Sequence, residues 1–516
     1  MNRLILNRTL LFALAFCFLA YIVLRYLLSA ISLAHPAVQL IISRCLLLLA
    51  IFFLVKNCWS GQNILTRSES PYTLSALRLA VFALPAWFAI HPYHQLSDTI
   101  LRQWVDLPDT DRVALPWLSY YSLHVPVSRY IISLIQPVFL LVSITSFIGL
   151  FTRASTIIYA ILAFYIYSIC HLFGKPVNNH YLLWFPIVLS CADCGRVLSV
   201  DALITRLRTG AWPNDARSNS YTPAINASLI LLGILYFFPG FWKIWTCGLD
   251  WIFRYNLRNI FYTKWLELNN WLPVIRIDQS DTIIVLVSLF AVVFELVFVF
   301  FALARKHSWW LLAGGVAFHY SILYFTQINF TFLLPVYVCL FDWGKVVEWL
   351  RRKTNKSGSP AAVQIPATYS FSRLVLIVLV SGNVLFGFLK VVSWPFACFP
   401  AFDYMVPEKI AVIYYEGYSN GKFAANDSTF RKYLNSTFSS YNVAARENRI
   451  ISFYSQGQSG PMFAGIQSLL RPVKDSVVTD SILVYKILRP LNPGTDLTTV
   501  EKETLAIIKP EHFNEK

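Results

Sequence analysis

Residues 282–303 read TIIVLVSLFAVVFELVFVFFAL, an unbroken apolar run with one charge, Glu295, and no proline or glycine. A run of this length and polarity suits a helix crossing the roughly 30 Å hydrocarbon core of a bilayer, which takes about 20 residues. Read outward from there, the chain carries further apolar runs at 10–32, 36–55, 71–91, 130–151, 154–171, 180–193, 224–241, 308–328, 330–342 and 374–392. Two of these, 180–193 and 330–342, are short and read as half-spans or as parts of neighbouring structure. The first follows Arg3 and Arg8, lacks a small-residue cleavage site and is interrupted by Arg25. It therefore reads as an uncleaved span rather than a signal peptide. The expectation is an all-α polytopic membrane protein of about 9–11 transmembrane helices.

Composition agrees. Of 516 residues, 56% are hydrophobic and 14% charged, and mean hydropathy is +0.54. A soluble domain is about 45–50% apolar and about 25% charged. Disorder, collagen and coiled coil are excluded, with only 20 glycines and the apolar residues in long runs. Aromatics reach 16%, as expected for rings at both membrane interfaces. The net charge of +16 reads as Lys and Arg anchoring the inner span ends, so no nucleic-acid partner is expected. With the N-terminus cytoplasmic, the inner loops hold seventeen Lys and Arg, including Arg351-Arg352-Lys353, against nine in the outer loops before the tail. One span later the chain is outside again, so the tail is extracytoplasmic.

The domain reading follows from these runs: two N-terminal spans over 1–69, a transmembrane domain over 70–342, and a basic cytoplasmic linker over 343–371. The last span covers 372–392, and 393–516 forms a small α+β extracytoplasmic domain. In that tail, 410–415 and 482–488 read as strands, and 428–438 and 462–470 as helices. Asn426 and Asn435 head N-x-S/T triplets within it.

Ionisable groups at membrane depth are expensive, so each is a functional candidate. Lys243 closes the run Tyr236-Phe-Phe-Pro-Gly240-Phe-Trp-Lys243. It is either a desolvated lysine able to act as base or nucleophile, or a snorkelling lysine at an interface. His180 follows Asn178 and Asn179, whose amides can fix its tautomer, hold a polar substrate group or simply cap a helix. Glu295 and His319 lie on consecutive spans, and a hairpin would bring them together as a catalytic pair, a proton relay or a structural contact. Arg44 and Arg78 read as interhelical anchors. Cys191-Ala-Asp-Cys194 has metal spacing, but neither a second pair nor a suitably spaced histidine accompanies it, so no metal is expected. Cys247 and Cys398 fall on the outer side, where a disulfide is an open alternative. No Walker loop, dinucleotide turn, H-E-x-x-H or G-x-S-x-G is present.

Asn178-Asn179-His180-Tyr-Leu-Leu, Ser190 to Asp193, Ser199-Val-Asp201, Tyr236 to Lys243 with Trp251, Glu295, and Gly315-Val-Ala-Phe-His319 before Phe330 occur in order across about 70–342. Together they resemble the horizontally transferred transmembrane domain family, which is related to vitamin K-dependent gamma-glutamyl carboxylase. The resemblance implies an enzyme in which a lysine, matched by Lys243, deprotonates reduced vitamin K or a related quinol. Oxygenation of the quinol then yields the base that removes a glutamate γ-proton, and CO2 adds to the carbanion. His180 matches a histidine of that site. Asn178, Asn179, Trp242, Glu295 and His319 become substrate- or quinol-binding candidates. The carboxylase has two adjacent lysines where this chain has Trp242-Lys243, and its lumenal region is much larger than this tail. The partners expected are the lipid bilayer and a protein or peptide substrate bound by the tail. The alternative is a non-enzymatic membrane scaffold or accessory factor for maturation or export of a secreted peptide.

Overall fold

The computed structural model describes residues 36–59, 67–90, 128–169, 171, 179–268, 271–353, 370–397, 402–437, 440–473, 476–477, 479–492 and 500–513. The expected first span at 10–32 lies outside them, as do Asn178 and Cys398. All the other apolar runs are helical: α1 (Pro36–Trp59), α2 (Pro71–Ile90), α3 (Arg129–Ile148), α4 (Thr152–Ser168), α5 (Tyr181–Ser190), α7 (Thr222–Cys247), α10 (Asp281–Leu303), α11 (Ser308–Thr326) and α13 (Ser370–Phe388), with a 3-10 segment at Thr331–Leu340. Between them lie the shorter helices α6 (Val200–Thr209), α8 (Asp250–Phe253), α9 (Asn256–Glu267) and α12 (Trp343–Lys353).

Among the described residues, five helices are long and apolar enough to cross a membrane: α1, α3, α7, α10 and α13. The expected 9–11 counted every apolar run. Several fall short on length, α4 with 17 residues and α5 and the 3-10 segment with 10 each.

The chain divides into two compact units: residues 1–249, 289–323 and 328–404, and residues 250–288, 324–327 and 405–516. In the first, α7 is the central helix. About 89% of its apolar window is buried, against 17–39% for the other four long helices. A helix that is apolar all round belongs inside, whereas one with an outward face belongs at the periphery. Glycines let neighbours approach α7. A Cβ on Gly233 would meet Val299 at 2.5 Å, and one on Gly240 would meet the Glu295 Cβ at 2.8 Å, so α10 lies directly on this face. Gly387 of α13 likewise leaves room for the Phe238 ring.

Helix ends are set locally. Ser128 and Ser199 cap α3 and α6 by accepting the Ile131 and Ala202 amides. Gly149 ends α3 in the left-handed region at φ +72, its N–H returning to the Thr145 carbonyl at 2.9 Å. The Asp201 carboxylate accepts the Phe151 and Thr152 amides at 2.8 and 2.7 Å, capping α4 from a separate helix.

The second unit holds the tail. β1 (Lys409–Ser419), β2 (Lys422–Ala425), β3 (Ser481–Pro490) and β4 (Lys502–Ile508) form an antiparallel sheet in the order β2-β1-β3-β4. Asn420-Gly421 closes the β1–β2 hairpin, both residues with positive φ, as a two-residue turn requires. Three helices, α14 (Asp427–Thr437), α15 (Ser440–Ser455) and α16 (Ser459–Leu470), contribute Phe430, Leu434, Val443, Ile450, Ile466 and Leu469 to the core under the sheet. Inside it sits an ionic knot. Arg431 reaches Asp427 at 2.6 Å, Glu447 at 3.5 Å and the Ile413 carbonyl at 2.6 Å, while the Tyr415 hydroxyl donates to Glu447 at 2.9 Å. Burial pushes the Arg431 guanidinium down, but Glu447 and Asp427 outweigh it and hold it well above its ordinary value. The unit also includes 250–288, which the sequence reading left in the transmembrane domain. Asn256 and Asn259 clamp Val406, accepting its N–H at 2.8 Å and donating to its carbonyl at 3.0 Å.

Candidate functional site

Lys243 sits on α7 one turn beyond Gly240, where the missing side chain lets α10 bring Glu295 alongside. Its Nζ donates to both carboxylate oxygens of Glu295, at 2.6 and 2.7 Å. The two side chains are 5% and 4% exposed. The side chain is buried rather than at an exposed interface, and it is paired with a carboxylate, which neither reading of Lys243 included. For Lys243 to accept a proton, its own must first leave, and Glu295 is an acceptor at hydrogen-bonding distance.

The hairpin reading paired Glu295 with His319. In the structure each is engaged by α7 instead. Glu295 meets Lys243, and His319 Nε2 hydrogen-bonds the Tyr236 hydroxyl. The Tyr236 hydroxyl is also hydrogen-bonded to that of Tyr337, which fits where Gly315 has no side chain. The physical reason is spacing: Tyr236, Gly240 and Lys243 recur at helical intervals on one face of α7. Tyr236 lies seven residues before Lys243, about 10 Å along the axis. Around this cluster Phe298 stacks on Tyr236 at 4.5 Å, and Phe294 and Phe318 close in edge-on at 5.5 and 6.0 Å. The buried His319 Nδ1 has no hydrogen-bond partner among the described residues.

His180 heads α5 in a second buried cluster. Its ring lies 4.8 Å from that of His171, 4.9 Å from Trp394 and 5.8 Å from Trp184. Asn179 donates to the Tyr167 carbonyl at 3.2 Å, which turns its Oδ1 toward His171 Nε2 at 3.0 Å. That nitrogen must therefore carry the proton. His180 Nε2 lies 2.6 Å from the Ser393 carbonyl, so it too is the protonated nitrogen. Both rings thus donate through Nε2 to carbonyl oxygens. Asn179 thus meets His171, whereas the sequence placed its amide beside His180.

Trp242 faces the other side of α7, its Nε1 donating to the Gly387 carbonyl at 2.8 Å with Lys390 over its ring. Segment 387–395 therefore receives Trp242 at Gly387 and His180 at Ser393. Arg44 anchors α1 to α7, donating to the Trp245 carbonyl at 2.9 Å, as an interhelical arginine should. Cys247 donates to the Asp403 carbonyl, and Cys194 is buried against the Leu189 carbonyl.

Sequence reasoning missed Tyr236, Tyr337, His171 and Trp394. Tyr236 carried a signal in its spacing from Lys243. The other three lie on separate elements and gather only through tertiary packing. No family model, curated protein or solved structure matches the chain.

Proposed function

We propose that the chain is an integral membrane enzyme of the carboxylase-like class, with Lys243 as base, a reduced quinone as cosubstrate, and O2 and CO2 consumed in turn. The observation that carries this reading is the buried Lys243–Glu295 pair. Replacing a buried ion pair by apolar residues is often neutral or stabilising, so its presence in an apolar interior calls for a reason beyond stability.

The residues present suit a quinol. The cluster is aromatic, with Phe298 stacked on Tyr236 and Phe294 on Phe318, and the buried His319 Nδ1 is a polar atom without a partner among the described residues. His319 and Tyr236 would hold a ring hydroxyl. When bound, the quinol supplies the strong base that its oxygenation generates. The chain's own residues do the rest. Glu295 takes the Lys243 proton and leaves the Nζ lone pair as a base. His180 and His171, each donating through Nε2, keep their orientation within the buried cluster. In this reading the N-terminus is cytoplasmic and the tail extracytoplasmic, where it binds the protein or peptide that is modified.

The second reading, a non-enzymatic scaffold for maturation or export of a secreted peptide, is favoured by one feature. Nζ already engages both oxygens of Glu295, as a purely helix-joining pair would. One experiment separates the two. Reduced vitamin K is supplied to purified wild type and to Lys243→Ala in detergent, and epoxide is measured. The enzyme reading expects epoxide from wild type and at least about a hundredfold less from the variant. A folded wild type with no turnover, or a fully active variant, refutes it and leaves the scaffold.

A further inference from the structure

Two amphipathic basic helices lie outside the site. On α12, Gly344 packs against Ser70, and Glu348 and Arg351 also face the protein. Its opposite face exposes Val346 and Trp349, flanked by exposed Lys345, Arg352 and Lys353, with Lys353 4.1 Å over the Trp349 ring. On α6, Leu203 and Leu207 are exposed beside Arg206 and Arg208, and Arg206 lies 4.5 Å over exposed Trp212.

The loop after α6 is pinned to α12. Arg217 grips Asp342 at 2.9 Å and Glu348 at 3.2 Å, and Arg351 reaches Asp215 at 2.5 Å. These contacts, with Asp201 on the α4 amides, use up the acids of both helices, Asp215 in the loop after α6 and Asp342 before α12. The charge left facing outward is basic. The first turn of α11 joins the same level. Ser308 Oγ donates to the Leu340 carbonyl at 2.8 Å, Trp309 packs 4.7 Å from Phe341 just before α12, and Trp309 and Trp310 are exposed.

We propose that α6 and α12 form a docking surface for the acidic phospholipid headgroups of the surrounding leaflet. Tryptophans sit at membrane interfaces, and basic side chains on an amphipathic helix are drawn to anionic lipid. The surface combines both, next to helices long and apolar enough to cross the bilayer. The inference rests on the membrane-embedded reading and not on any chemistry at Lys243.

The test places the full chain in nanodiscs of zwitterionic POPC or of POPC mixed with acidic POPG, and follows amide exchange in 200–209 and 343–353. POPG should slow exchange in both helices, and high salt should abolish the effect. Lys345→Glu/Arg352→Glu/Lys353→Glu should lose it, with apparent affinity for POPG in a detergent titration lowered at least about tenfold. The milder Arg352→Gln/Lys353→Gln serves if the reversal variant misfolds. Equal exchange in both lipids, or a variant that keeps the POPG effect, overturns the proposal. Alkaline carbonate extraction of native membranes separates the two failures. A chain released there was never embedded, whereas a chain retained without a POPG effect refutes only the docking surface.

Discussion

Lys243→Met should be one of the most destabilising single changes in the first unit, and Lys243→Met/Glu295→Gln should recover much of the loss. The magnitude follows from burial. With both side chains about 95% removed from solvent and both carboxylate oxygens engaged, deleting the lysine strands a carboxylate in an apolar interior. Breaking a buried pair by removing one partner costs about 3–5 kcal/mol, while removing both charges together costs far less. The two singles and the double thus form a cycle with a coupling energy of about 2–3 kcal/mol. Thermal unfolding in detergent reads it: both singles melt well below wild type, and the double lies between them and wild type. A neighbouring change, Gly240→Ala, drives a Cβ to 2.8 Å from the Glu295 Cβ, 3.2 Å from Leu296 Cγ and 3.3 Å from Glu295 Oε2, so it should cost about 1–3 kcal/mol while leaving both charges in the chain. If Lys243→Met melts like wild type, or the two singles simply add, the charges are solvated and the argument from burial fails.

Two further outcomes are expected. Gly149→Ala should destabilise the α3–α4 turn, because φ is +72 there and a Cβ would run into the Arg78 guanidinium and come within 2.5 Å of the Ser199 Cβ. The left-handed conformation alone costs about 1–2 kcal/mol, and thermal melting should show at least that. In the tail, burial pushes the Glu416 carboxyl up, but Lys502 at 2.5 Å and the Tyr418 hydroxyl outweigh it and hold it below the ordinary range. A depressed carboxylate contributes stability that is present above its unfolded value, about pH 4.3, and is lost as pH falls through the folded value. Hydrogen exchange of β4 in the full chain, corrected for intrinsic rate, should therefore show protection falling below about pH 4.3. Glu416→Gln should remove less than about 1 kcal/mol of that dependence. Glu447, pushed up by burial despite Arg431, works in the opposite direction in wild type and variant alike, so a wild-type advantage over Glu416→Gln that grows rather than shrinks with acid would refute the assignment to Glu416.

The helices were legible because apolar runs advertise themselves by length. Every apolar run within the described residues is helical, and α7, α10 and α13 begin within a few residues of the boundaries read from composition. In the tail, the strands at 410–415 and 482–488 and the helices at 428–438 and 462–470 also emerged, whereas α15, β2 and β4 did not. β4 reads Lys-Glu-Thr-Leu-Ala-Ile-Ile, so its first half looks like solvated coil, and only pairing with β3 makes it a strand. The site was legible residue by residue but not as an arrangement. Lys243, His180, Glu295 and His319 each stood out as ionisable groups in apolar surroundings. Which of them meet depended on where α7 carries no side chain, and that is a property of helix crossing rather than of sequence neighbours.

That dependence has a consequence for function. Tyr236, Gly240 and Lys243 share one face of α7, and the partners of that face come from α10, α11 and the 3-10 segment. A small change in the α7–α10 crossing would therefore shift the Lys243–Glu295 pair and the Tyr236 cluster together, because Glu295 and Phe298 lie one turn apart on α10. In a helix-joining pair such coupling would be of no use, and an apolar contact at Gly240 would hold the helices as well. In the enzyme proposed above, which would hand a proton from Nζ to a carboxylate and present His319 to a bound ring, a single rigid face would fix the two groups relative to each other.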